Sequence, residues 1–303
     1  MSRLRSTDGV REWLLPSRCL IGRSRSCDVV LDEPAVSSEH ALLRWRNGAW
    51  ELQDLHSRNG TYVNGRLLGG GEKLGLDGAA ELGLGQRRVN LRLEGGPPLA
   101  HARALDGDLE CVEVDGGFLV LPRLDEPELT VLRRESGWQL ERVGGVERVE
   151  DGAVVSVGNR AWRLHLPQSV PATEDVEDAP LTPANMTLSF VLGGQGELRE
   201  LEVVRGRRRL PVKLRSHLGV LLALAQIRRH QAEDPTNARG WIPQAEFTRQ
   251  LGYNDGRLHV EIHRIRRQFA ELGVVDAANV VERHESEPKL RIGVASVEIV
   301  AAL

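Results

Sequence analysis

Residues 54–65 read DLHSRNGTYVNG. Asn59-Gly60 and Asn64-Gly65 are turn-forming pairs, because both residue types tolerate positive φ. The same stretch also crowds Ser57, Arg58 and Asn59 together just before Gly60-Thr61. Two readings follow: hairpin punctuation, or polar side chains held out on a loop to grip a ligand. A hydroxyl, a guanidinium and a carboxamide offer donors and acceptors suited to a polar or anionic group. No stretch points to catalysis: GxSxG, P-loop, HExxH and dinucleotide fingerprints are all missing. Gly69-Gly70-Gly71 lacks the Lys-Ser/Thr that a phosphate-cradling loop requires. Cys19, Cys27 and Cys111 cannot all pair and show no CxxC spacing, so neither a disulfide framework, a metal nor a cofactor is expected.

These residues sit in a chain of 303 with net charge −3, long enough for two or three domains. The charge is uneven. Residues 1–96 carry 14 basic against 12 acidic side chains, 97–185 carry 8 against 17, and 186–303 carry 18 against 14. With no apolar run near 18 residues and no signal-peptide core, a cytoplasmic protein without a membrane partner is expected.

From about residue 10 to 95, short strand-like runs alternate with Gly, Asn and Asp turns, and Asn47-Gly48 inside ALLRWRNGAWELQ is a strong hairpin signal. Many short strands with regular turns predict an all-β sandwich. Residues 97–168 echo that plan: LDEPELTVLRRESGWQLER against LDEPAVSSEHALLRWRNGAWELQD, and EDGAVVSVGNRAWRLHL against LDGAAELGLGQRRVNLRL. Residues 169–186, acidic and Pro-rich, read as a linker. Beyond them the period changes to short strands, then helices over LRSHLGVLLALAQIRRH, IPQAEFTRQLG and NDGRLHVEIHRIRRQFAELG, then a hairpin over VVERHESEPKLRIGV. The chain is therefore multidomain, with domains at 1–96, 97–168 and 187–303.

In residues 10–95, Gly22-Arg23, Ser37-x-x-His40 and Ser57-x-Asn59-Gly60-Thr61 stand in one order. This set resembles the forkhead-associated (FHA) domain, a β-sandwich that binds phosphothreonine peptides through loops at one end. A phosphothreonine brings nearly two negative charges and three acceptor oxygens, so its receptor needs a fixed guanidinium, hydroxyls and amides. The resemblance implies Arg23, Ser37 and Asn59 as phosphopeptide contacts, with Ser38, Ser57 and Arg58 beside them. Gly22, His40, Gly60, Thr61 and Asn64 would shape the loops, His40 as a buried brace. Ser38 and Arg58 depart from common family choices, which leaves preference beyond the phosphothreonine open. The echo at 97–168 has no Gly-Arg, no Ser-x-x-His and no such loop. It reads as a degenerate FHA-like β domain, left with a spacer, packing or homodimer-contact role. His165 and Trp162 there read as strand side chains rather than ligands.

Residues 187–303 resemble an α+β winged helix-turn-helix, in particular the DNA-binding domain of OmpR-type response regulators. With Leu258, Ile262, Ile265 and Phe269 buried, the opposite face of the third helix carries Arg257, Glu261, Arg264 and Arg267, with His263 and Arg266 alongside. Such a face suits the major groove, and wing residues Arg283, Lys289 and Arg291 could reach a phosphate. Acidic Glu282, Glu285 and Glu287 near the wing leave a second use, contact with protein. The expected partners are a Thr-phosphorylated protein (a Ser/Thr kinase or its substrate) and double-stranded DNA. Thr173 and Thr182 in the linker could, once phosphorylated, fold back onto Arg23.

Overall fold

A computed structural model describes residues 2–106, 111–113, 117–123, 127–134, 136–167, 180–231 and 240–301. The chain divides into two compact units: Met1–Glu113 with Glu150–Ser156 and Arg160–Ser169, and Val114–Val149 with Val157–Asn159 and Val170–Leu303.

The first unit opens with eleven strands: β1 (Arg3–Ser6), β2 (Glu12–Leu14), β3 (Arg18–Gly22), β4 (Val29–Val30), β5 (Ala41–Arg46), β6 (Ala49–Asp54), β7 (Thr61–Val63), β8 (Arg66–Leu67), β9 (Lys73–Leu76), β10 (Ala80–Leu84) and β11 (Leu91–Glu94). They form two sheets, ordered β2-β1-β11-β10-β7-β8 and β4-β3-β5-β6-β9. Strand alternation dictates the sandwich. Along β6, Trp50 and Leu52 point inward and meet Leu4, Leu82, Leu91 and Leu93 of the other sheet in one core. Burying each such side chain contributes about 1.5–3 kcal/mol. The Asn47-Gly48 pair makes the β5–β6 turn with both φ positive, as a two-residue hairpin of primed type requires. Cys19 and Cys27 are buried free thiols that pack as small apolar residues.

The middle of the chain supplies β12 (His101–Ala104), β13 (Cys111–Glu113), β14 (Phe118–Pro122), β15 (Pro127–Arg134), β16 (Gly137–Arg142), β17 (Gly145–Arg148), β18 (Val154–Val157) and β19 (Arg160–His165). Their order is β13-β12-β19-β18 in one sheet and β14-β15-β16-β17 in another. Strand for strand, this repeats β2-β1-β11-β10 and β3-β5-β6-β9. The two sheets of residues 97–168 fall in different compact units. The β12 sheet belongs to the first unit, and the β14–β17 sheet belongs to the second. Trp162 and His165 lie buried in β19, where His165 stacks on His101 with ring centroids 4.6 Å apart. The LDEP echo falls partly on residues outside those described.

The second unit continues with β20 (Thr187–Leu192), β21 (Leu198–Arg205), β22 (Arg208–Pro211), α1 (Leu218–Gln231), β23 (Ile242–Pro243), α2 (Gln244–Leu251), α3 (Asp255–Glu271), β24 (Val281–Arg283), β25 (Lys289–Ile292) and β26 (Ser296–Ala301). One sheet runs β22-β21-β20-β26, with β26 parallel to β20, and the β24–β25 hairpin adds β23 at its edge. Asn254 caps α3 by accepting a hydrogen bond from the Arg257 N–H, and Gly252 ends α2 in the left-handed conformation. The predicted stripe Leu258, Ile262, Ile265 and Phe269 is buried against Leu221, Leu224 and Phe247. Arg207 to Arg209 lie at the β21–β22 turn and on β22. The predicted linker is shorter than expected at its C-terminal end. A 3-10 turn over Pro183–Asn185 follows Thr182, and Pro183 and Met186 are buried in this unit. Thr173 lies outside the described residues. No helix among the described residues is long and apolar enough to cross a membrane.

Buried neutral histidines give the fold a testable pH response. Burial lowers the pKa of His165 to about 3 and of His259 to about 4, with neighbouring cations adding to the effect, and it lowers His40 and His217 as well. The unfolded chain protonates near the ordinary histidine value of about 6.5, whereas the folded chain resists. Stability is therefore full above that pH and falls as the pH drops toward the folded values, by about 1.4 kcal/mol per pH unit per histidine. Thermal melts should shift steadily downward between pH 7 and 5. Flat melting temperatures over that range would contradict the buried neutral forms.

Candidate functional site

Two loops of the first unit form the site. One runs from the end of β3 to β5, the other from β6 to β7. Gly22 ends β3 against the second half of the first loop: a Cβ there would collide with the Ser38 carbonyl, which also accepts hydrogen bonds from the Ser24 N–H and the Cys27 thiol. The next residue, Arg23, is thereby fixed at the mouth. Its backbone N–H donates to Ser37 O at 2.9 Å, and its Nε donates to Val36 O at 3.3 Å. Its side chain is exposed and has no carboxylate partner among the described residues.

His40 joins the loops from beneath. Fully buried, it accepts the Ser37 N–H on Nδ1 at 3.0 Å, so its proton sits on Nε2 and is donated to Gly60 O at 3.1 Å. Burial pushes its pKa down, which keeps the ring neutral and preserves this acceptor–donor pair.

Asp54 organises the second loop, and sequence reasoning did not single it out. The carboxylate is 1% exposed at the inward end of β6. It accepts from the Ser57 N–H at 3.0 Å, the Ser57 hydroxyl at 2.6 Å and the buried Thr61 hydroxyl at 2.7 Å. Burial alone would raise its pKa, but these three donors outweigh that and hold it below the usual carboxylate range. The alternation AWELQD was the available signal, since it places Asp54 on the same inward side as Trp50 and Leu52. An inward carboxylate at a strand end must find donors nearby. Asp54→Ala should lower stability by about 3 kcal/mol, because Thr61 and Ser57 are left without their charged acceptor. Asp54→Asn, which keeps an acceptor oxygen, should cost less. Urea unfolding measures both, and an alanine variant as stable as wild type would refute the role.

The remaining site residues close the mouth. Arg58 N–H donates to the Ser37 hydroxyl at 3.1 Å, and Asn59 Nδ2 donates to Ala35 O at 2.8 Å, so the second loop leans on the first. Gly60 has φ +82, and its O also accepts the Gly85 N–H at 3.0 Å. Asn64-Gly65 turns β7 into β8, and the Asn64 carboxamide accepts the Glu81 N–H. Asn64 is thus turn structure, while Ser37, Arg58 and Asn59 stand together with Arg23. Ser38 is exposed beside them. Among the described residues neither Arg23 nor Arg58 has an ion-pair partner, and both stand with one hydroxyl and one carboxamide on loops braced to each other, groups suited to a compact anion.

The FHA family model matches residues 19–85. That segment is an FHA domain. Over 43 residues the chain is 46% identical to an oxoglutarate dehydrogenase inhibitor of Corynebacterium diphtheriae, covering 14% of this chain and 30% of the relative. Over 56 residues it is 39% identical to the FHA domain-containing protein FhaB of Mycobacterium tuberculosis, covering 18% and 36%. The chain thus spans about a third of the length of these curated relatives. A solved chain from a structural and functional study of phosphothreonine-dependent FHA domain interactions is 28% identical, covering 32% of this chain and 97% of that one, with a TM-score of 0.28.

The residues expected to meet DNA are divided by the fold. Arg257, Arg264 and Arg267 are exposed along α3. Arg257 lies 3.9 Å over the Tyr253 ring, Arg264 is paired with Glu261 at 3.3 Å, and Arg267 is paired with Glu271 at 3.2 Å. On the hairpin, Lys289 is paired with Glu287, and Arg291 with Glu282 at 2.6 Å. His263 and Arg283 are 2% and 6% exposed, and Arg266 and Glu261 are buried too. The expectation of one open basic face on α3 therefore needs correction. The helix is covered on two sides, because the β14–β17 sheet packs where solvent was expected.

Proposed function

We propose that this protein is a phosphothreonine-dependent regulator, binding rather than catalytic, acting in the cytoplasm. The FHA domain docks a Thr-phosphorylated protein, such as a Ser/Thr kinase or its substrate. Arg23 and Arg58 meet the phosphate charge, Ser37 and Ser38 offer hydroxyls or amides, and Asn59 holds the peptide backbone. The observation that carries the reading is Arg23, fixed by its own backbone and left without a carboxylate among the described residues at the mouth of two braced loops. The test is fluorescence anisotropy with one threonine peptide in phosphorylated and unphosphorylated forms. Phosphate-dependent binding is expected, and equal binding of the two forms would overturn the reading.

Residues 97–168 are read as a degenerate FHA-like copy, supported by the repeated strand order and lacking the phosphate-gripping residues. Residues 187–303 are read as a winged helix-turn-helix that binds duplex DNA, so that kinase signalling reaches transcription. Support comes from the order sheet, three helices and hairpin, and from the exposed Arg257, Arg264 and Arg267. A second reading, in which this domain contacts protein in a phospho-dependent scaffold, is favoured by the glutamates that neutralise Lys289 and Arg291. Salt-sensitive binding of duplex DNA by the full chain separates the two.

A further inference from the structure

The cover on α3 is built differently from its core side. The core stripe of the helix is apolar. The sheet-facing stripe is His259, His263 and Arg266, with only Ala270 apolar, and the open stripe is Arg257, Arg264 and Arg267. At 100° per residue, these stripes lie side by side, so the sheet lies along one flank of the outward face of the helix.

The contact has an apolar edge and an ionic centre. Phe118, Val120 and Leu132 of the β14–β17 sheet pack with Ala278, and the Phe118 ring stands edge-on to His263 with centroids 5.5 Å apart. At the centre lies Glu141 of β16. Arg266 reaches it through two bonds, Nη1 to Oε2 at 2.7 Å and Nη2 to Oε1 at 3.1 Å. Arg134 stands 3.3 Å and Arg283 3.5 Å from the same carboxylate. Glu141, Arg266 and Arg283 are buried and Arg134 is partly so, and Arg266 also donates to Val281 O. A second contact links the sheet to the hairpin tip, where Ser136 and Gln139 both donate to Glu285.

One carboxylate thus serves three guanidiniums. That leaves surplus positive charge at the carboxylate, and among the described residues Arg283 Nη2 has no hydrogen-bond partner. A polar cavity of about 600 Å³ opens beside them, where Arg134, Arg283 and Arg291 face Glu282 and Glu285. Such an ionic contact is a poor source of stability, since desolvating its charges offsets most of their attraction. Its contribution is to specificity, because Glu141 is the carboxylate of the sheet that Arg266, Arg283 and Arg134 share.

We propose that the β14–β17 sheet is an autoinhibitory cap on α3, in which Glu141 occupies the place of the anion that Arg266 and Arg283 would grip on an open helix. With the cap seated, α3 exposes the Arg257, Arg264 and Arg267 stripe. With the cap lifted, the basic face gains Arg266 and extends to Arg283 on the hairpin. The ligand of the open face rests on the DNA reading above, but the cap itself does not.

Glu141→Ala in the full chain removes the shared anion and sets three guanidiniums against one another. Hydrogen exchange along α3 should speed up, and affinity for a random-sequence DNA duplex should rise roughly tenfold. A Ser136→Cys, Glu285→Cys variant joined by a bis-maleimide pins the cap to the hairpin, and it should bind the duplex no better than wild type even when Glu141→Ala is added. Unchanged exchange in a folded Glu141→Ala protein would overturn the cap. So would a pinned protein that binds the duplex as tightly as the unpinned Glu141→Ala variant. Faster exchange with no duplex binding in any form would leave the cap standing and sink the DNA reading instead.

Discussion

Arg23→Ala should weaken binding of a phosphothreonine peptide by about 30- to 150-fold and leave the melting temperature unchanged. The size follows from the chemistry of the contact. A hydrogen bond to a charged group contributes about 1.5–3 kcal/mol, and a guanidinium can donate two to one phosphate. The lack of a stability effect follows from the structure. The Arg23 side chain is exposed, forms no ion pair among the described residues, and spends only a long Nε bond on Val36 O. Its positioning bond, from the backbone N–H to Ser37 O, survives in alanine. Calorimetric titration of the peptide measures the loss. The Arg23→Lys variant sharpens the test: it keeps the charge but not the fork, so it should recover only part of the affinity. An alanine variant that binds like wild type would remove Arg23 from the site. One that melts several degrees lower would make it structural.

Much of this site was legible because its chemistry is local. Gly22-Arg23, Ser37-x-x-His40 and Ser57-x-Asn59-Gly60-Thr61 are short, ordered motifs, although the bonds that brace their loops, such as His40 to Gly60 and Asn59 to Ala35, cross 20 or more residues. Asp54 escaped because it reads as an ordinary polar strand end, although the inward period of β6 marks it. The failure in the C-terminal unit is of another kind. A helical period detects an apolar stripe, and α3 shows one, at Leu258, Ile262, Ile265 and Phe269. Its second buried stripe is polar, and its partner Glu141 lies 125 residues from Arg266 along the chain. A buried charge paired at that separation leaves no trace in local pattern. Residues 97–168 repeat a strand plan, so sequence similarity groups them, while their two sheets belong to different compact units.

The cluster around Glu141 should show an unequal order of mutational cost. Burial alone would raise the Glu141 carboxyl, but Arg266, Arg283 and Arg134 together override that and hold it down to about 2. It is therefore ionised throughout the working pH range, and losing it strands three cations at once. Removing one partner of a buried pair costs about 3–5 kcal/mol, and Glu141→Ala belongs at the upper end. Arg134→Ala should cost much less, since its side chain is 12% exposed and Glu141 keeps Arg266 and Arg283. Arg266→Met falls between, because the thioether chain fills the space while Arg283 and Arg134 still balance the carboxylate. Urea unfolding of the full chain, followed by a probe in the second unit, ranks the three. A double variant of Glu141→Leu with Arg266→Met should recover part of the single losses, as apolar replacement removes the desolvation cost together with the attraction. If Arg134→Ala proved as damaging as Glu141→Ala, the carboxylate would not be the shared centre, and the contact would be held by its apolar edge at Phe118.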